Sequence, residues 1–86
     1  MPELSRFYGI VIRMYISDHP PAHFHAMYGG RQVKIEIDTL KVSAGSLPPR
    51  ALGMVMEWAA QHQDDLRRAW RQAIVPSEID PIEPLG

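Results

Sequence analysis

The sequence predicts a single α+β domain over residues 1–86: an antiparallel sheet of three or four strands, one long helix on one face, and an extended proline-rich tail. Two changes of pattern predict it. Apolar residues alternate with period two through the first half of the chain, then recur at three- and four-residue steps after Ser46. Beyond Ile74, Pro76, Pro81 and Pro84 interrupt both patterns while Ile79, Ile82 and Leu85 supply apolar side chains that need cover.

The first strand is read over residues 7–16, where Ile10, Ile12, Met14 and Ile16 alternate with Val11, Arg13 and Tyr15. One of its faces is wholly apolar and the other mixed. The segment from Asp18 to Ala22, with adjacent prolines, ends it. A second strand follows over 23–28, with Phe24, Ala26 and Tyr28 on one side and His23, His25 and Met27 on the other. Gly29-Gly30 reads as a two-residue hairpin turn, because such turns need positive φ. The third strand, 31–38, is the cleanest: Val33, Ile35 and Ile37 against Gln32, Lys34, Glu36 and Asp38. Residues 40–43 form an optional short fourth strand. Ser46-Leu47-Pro48-Pro49 is a helix entry, since proline fits the first turn. The helix is expected over 49–73, burying Leu52, Val55, Ala59, Leu66 and Trp70 against Ile10, Ile12, Val33, Ile35 and Ile37. Gly53 weakens it by about 1 kcal/mol relative to alanine.

Eighty-six residues allow one domain with a small core, for which a homodimer is an expected way to bury more surface. The formal charge of −1 disfavours a generally cationic nucleic-acid binder. With no cysteine, disulfides, thiolate catalysis and cysteine-rich zinc sites are excluded. The start of the chain lacks the layout of a signal peptide and no apolar run reaches membrane-spanning length, so a cytoplasmic protein with no membrane partner is expected.

Chemistry concentrates in Asp18-His19-Pro20-Pro21-Ala22-His23-Phe24-His25, which holds three of the four histidines. His23 and His25 are two apart, so on a strand their imidazoles leave the same face. If Phe24 and Tyr28 face the core, that pair points away from it and is accessible. Three readings follow. As a metal centre, His19, His23 and His25, with an oxygen from Asp18 or a carboxylate such as Glu36, would be the ligands of a divalent ion such as zinc, though no cofactor is required by the pattern. As a metal-free acid–base site, His23 and His25 would exchange protons while Arg13 and Tyr15 on the neighbouring mixed face stabilise phosphate charge, as in a small ribonuclease. As a purely structural element, the histidines and prolines shape a turn and line an interface. His62, on the helix's apolar stripe, reads as a core-edge residue, and Arg67, Arg68 and Arg71 as a solvated helix end.

The runs Arg6-Phe7-Tyr8-Gly9-Ile10, Met14-Tyr15, Asp18-His19-Pro20-Pro21 and His23-Phe24-His25-Ala26, with Tyr28-Gly29, resemble a family of small bacterial proteins known only as a domain of unknown function. The helix residues Arg50-Ala51-Leu52, Glu57-Trp58-Ala59, His62 and Leu66, and the closing Ile82-Glu83-Pro84-Leu85, fit the same pattern. Ala22 departs from it, standing where the family commonly has a proline. Similar proteins are often encoded beside a second small domain, so the resemblance implies a toxin–antitoxin-like two-gene module.

Two functions from different classes are therefore expected. One is a partner-binding component of such a module, engaging a small protein. The other is a histidine-dependent ribonuclease or metal-dependent hydrolase centred on His19, His23 and His25. No complete catalytic set can be named from sequence, which tilts the reading towards the first.

Overall fold

In the computed structural model the described residues are 3–15, 19–73 and 80–86. Among them the order is β1 (Glu3–Phe7), β2 (Ile10–Arg13), β3 (His23–Tyr28), β4 (Arg31–Glu36), β5 (Val42–Gly45), α1 (Pro49–Gln61) and α2 (Gln63–Gln72). The strands form one antiparallel meander in chain order. The α+β class is as expected, but the described residues hold five strands and two helices.

The extra strand comes from a hairpin inside the expected first strand. Phe7 pairs with Ile10, and between them Tyr8 (φ 49°) and Gly9 (φ 81°) make a two-residue turn. Positive φ at both central positions is what such a turn needs. A bulky aromatic rarely takes that conformation, so Tyr-Gly does not punctuate the sequence as Gly-Gly does. The expected strand over 7–16 is thus the last residue of β1, the turn and β2; its end at Ile16 lies outside the described residues. At Gly29-Gly30 (φ 55° and 76°) the expected turn forms, pairing Tyr28 with Arg31. β4 stops at Glu36 because a tight turn follows: Leu40 N–H donates to the Glu36 carbonyl and Glu36 N–H to Lys41. β5 accordingly starts at Val42, slightly later than the expected 40–43.

The core lies between one face of the sheet and the helices. Ile10, Ile12, Phe24, Ala26, Val33, Ile35, Val55, Trp58, Ala59 and Leu66 are fully buried there. Each large aliphatic side chain so placed contributes about 1.5–3 kcal/mol. Leu52 and Trp70, expected in the core, are only partly buried at its margin. Phe7 and Phe24 both pack on the Trp58 indole, with ring centroids at 5.6 and 5.9 Å.

The single helix expected over 49–73 is two helices divided at His62, whose φ of −129° leaves the helical region. A continuous helix would send the His62 N–H to the Trp58 carbonyl; here it reaches Ala59 instead, at 3.1 Å. The His62 side chain takes over the abandoned acceptor, its Nδ1–H donating to Trp58 O at 2.8 Å. The break is therefore compensated by the residue that makes it. α2 then crosses the end of the sheet, with Gln63 donating to the Ile37 carbonyl at 2.9 Å and Arg67 to Asp38 at 2.9 Å. The Asp38 carboxylate in turn holds the Arg67 guanidinium above its usual pKa. The Arg67–Asp38 pair is exposed, so it orients α2 more than it stabilises it.

The tail lies along β1 of its own chain. Ile82 is buried and its N–H donates to the Leu4 carbonyl at 2.7 Å, while Trp58 Nε1–H donates to the Glu83 carbonyl at 2.7 Å. Pro76 and Ile79 lie outside the described residues.

Two glycines should respond oppositely to alanine. Gly45 (φ 76°) ends β5, and a Cβ there would collide with the Gln32 carbonyl. Gly53 sits exposed within α1, where a Cβ meets nothing within 4 Å. Urea unfolding should show Gly45→Ala destabilised by more than about 1 kcal/mol and Gly53→Ala stabilised by about 0.5–1 kcal/mol.

Candidate functional site

The face of the sheet opposite α1 is built by register. Cross-strand pairing sets Arg13 opposite His25 and His25 opposite Lys34, with Glu3 on the far side of Arg13 and Ala44 beyond Lys34. The adjacent rows place Val11, Met27 and Gln32 on one side and His23 opposite Glu36 on the other. Tyr15 follows Arg13 by two residues and shares its face.

All four acid–base candidates meet in this layer. The Tyr15 ring stands edge-on to His25 with centroids 4.4 Å apart, His23 and His25 are 5.3 Å apart, and Arg13 is the cross-strand neighbour of His25. The expectation that His23 and His25 are accessible is corrected: they are 1% and 8% exposed. Their face is covered by one side chain that follows β2 and one from α2. Trp70, reaching in from α2, lies 5.2 Å from the His23 ring, and Tyr15 covers His25.

The hydrogen bonds fix how the rings carry their protons. His23 Nδ1–H donates to the Pro21 carbonyl at 2.8 Å, so the neutral ring keeps Nε2 as acceptor. Gln32 Nε2–H donates to His25 Nδ1 at 3.1 Å, so the neutral His25 ring carries its proton on Nε2. The two rings thus have opposite tautomers on one face. His23 ties β3 to the bend before it, whose Pro20–Pro21 peptide is cis. Gln32 and Lys34 were not singled out by residue chemistry, yet both are legible from the Gly29-Gly30 hairpin, because a two-residue turn pairs Met27 with Gln32 and His25 with Lys34.

Of the proposed metal ligands, His19 is exposed while His23 and His25 are buried, and Asp18 lies outside the described residues. Among the described residues no three His, Cys, Asp or Glu side chains are grouped to hold a metal ion. His62 belongs to another neighbourhood, its ring stacked on Trp58 at 5.3 Å. A cleft of about 280 Å³ lies between β1 and the tail, lined by Leu4, Ser5, Ile82 and Pro84 among others and by none of the histidines.

The charges of this face are unevenly paired. Arg6 donates to Glu3 at 2.7 Å and holds its carboxyl below the usual range, with Arg13 a lesser influence. Glu3 is thereby committed to Arg6. The Arg13 Nε is buried and has no acceptor among the described residues.

An antiparallel meander with α1 packed on one face, α2 at the end of the sheet, and a histidine pair held in the opposite layer, defines a small α+β domain whose distinctive residues face away from its core. The family model described as a domain of unknown function, DUF4160, matches residues 9–71, and the chain belongs to that family. No curated protein and no solved structure matches it. No helix among the described residues is long and apolar enough to cross a membrane.

The tautomers give a direct check. Long-range ¹H–¹⁵N spectra near pH 8 should show His23 and His62 protonated on Nδ1 and His25 on Nε2. His23→Ala, which opens a cavity and strands the Pro21 carbonyl, should cost about 2–4 kcal/mol in urea unfolding. Gln32→Ala, at an exposed position, should cost under about 1.5 kcal/mol.

Proposed function

We propose that this chain is a binding module, the partner-binding component of a toxin–antitoxin-like two-gene pair, and that it docks a small protein through the face of its sheet opposite α1. The observation that carries the reading is the state of the histidines. Both are buried, and each Nδ1 is engaged in bracing the local fold: His23 to Pro21, His25 to Gln32. Beside them Val11 and Met27 present half-buried apolar surface in the row next to Arg13 and Lys34, a mixture that suits a protein interface. The family resemblance supports the two-gene arrangement. The proposal places the protein in the cytoplasm and includes a homodimer, for which the small core is the argument.

A second reading keeps its own support. Arg13, Tyr15, His23 and His25, the residues a metal-free ribonuclease would use, adjoin one another. In that reading a histidine exchanges protons with the 2′-hydroxyl and the leaving oxygen while Arg13 steadies the phosphate.

The two are separated by one set of proteins. Mixed with the product of the gene beside its own, the purified chain should form a complex on size-exclusion chromatography, and Val11→Glu with Met27→Glu should weaken it at least about tenfold while leaving the fold intact by circular dichroism. Absence of a complex, or one indifferent to these changes, overturns the docking reading. RNA cleavage by the chain alone that His25→Ala abolishes would establish the second.

A further inference from the structure

Lys34 and Arg13 flank His25 on the face opposite α1, each directly opposite it on the adjacent strand. Placing two cations in one row costs free energy unless something of opposite charge joins them. Among the described residues neither makes an ion pair, although Arg13 feels the charge of the Glu3 carboxylate across β1 and β2. The Lys34 ammonium makes no ion pair or hydrogen bond there, the buried Arg13 Nε has no acceptor, and Glu3, the carboxylate nearest to Arg13 by register, is held by Arg6. We propose that the Arg13–His25–Lys34 row is a carboxylate-binding site, and that the partner meets it with an acidic segment whose Asp or Glu side chains bridge the guanidinium and the ammonium. This rests on the docking reading and names its chemistry.

Charge complementarity selects the occupant. Glu3 bounds the row on the β1 side, and Glu36 stands in the next row, so the positive surface is only a few residues wide. A continuous phosphodiester backbone would run from it onto these carboxylates, and the chain as a whole is slightly acidic. One or two carboxylates fit within it. Guanidinium accepts a carboxylate through paired N–H donors, and lysine adds a mobile point charge from the other side. Val11 and Met27, in the row beside it, would take apolar side chains flanking the acidic ones, so the matching segment alternates acidic and apolar residues.

The probe is hexaglutamate, titrated into the intact chain at low salt and followed by the ¹H–¹⁵N signals of the Arg13 guanidinium and the Lys34 backbone amide. Saturable shifts at these positions are expected. Arg13→Gln with Lys34→Gln should weaken binding at least about tenfold, and Arg50→Gln with Arg71→Gln, on the helices, should leave it unchanged. Shifts that sodium chloride reproduces at matched ionic strength, or binding that survives Arg13→Gln with Lys34→Gln, would overturn the site. In a parallel titration, inorganic phosphate binding the same residues more tightly than hexaglutamate would overturn the choice of carboxylate. If hexaglutamate fails while the two-protein complex forms, this inference alone falls; if hexaglutamate binds and no complex forms, the docking reading falls.

Discussion

The Trp58 indole is the contact on which the rest of the domain depends. It is fully buried in α1 and meets Phe7 of β1 and Phe24 of β3, so one side chain joins an edge strand, the central strand and the helix layer. Its Nε1–H holds the tail at Glu83, and its own carbonyl receives the His62 imidazole that ends α1. A buried tryptophan needs a partner for its one donor, and here that requirement draws a distant segment onto the core. The turn into α2, the course of the tail and the depth of the core follow from where this ring sits.

Much of the sheet was legible because period-two alternation and a Gly-Gly turn report on local geometry. Val33, Ile35 and Ile37 face inwards as their spacing demands. The β1–β2 hairpin was hidden because Tyr8 takes a left-handed conformation that aromatic residues seldom adopt, so the local signal pointed the wrong way. The break at His62 was hidden for another reason. The apolar stripe continues through it, and only the imidazole bond to Trp58 O makes the interruption tolerable. Side-chain hydrogen bonds of that kind have no periodicity to read.

For the candidate site, the faces were legible and their exposure was not. Alternation along β3 correctly put His23 and His25 opposite Phe24, but pointing away from the core did not make them accessible. Tyr15 and Trp70 arrive from elements whose placement depends on tertiary packing, and they close over the rings. The pairing of His25 with Lys34 follows from a two-residue turn, whereas its pairing with Arg13 spans a longer connection that no local rule sets. Arg13, Tyr15, His23 and His25 therefore lie together in a layer more enclosed than expected, while His19 is exposed apart from them.

The tail gives the sheet two unlike ends. At β1 the Ile82 amide occupies the Leu4 carbonyl and the buried Ile82 side chain lies alongside, so an incoming strand finds that edge taken. At β5 a short, exposed strand of small residues, with an irregular register against β4, forms the other edge. Addition of strands from another molecule is thus polarised. Head-to-tail stacking, which consumes a different edge on each copy and can propagate into a fibre, meets the tail at β1. Antiparallel pairing of β5 with β5 consumes the same edge on both copies and stops at two.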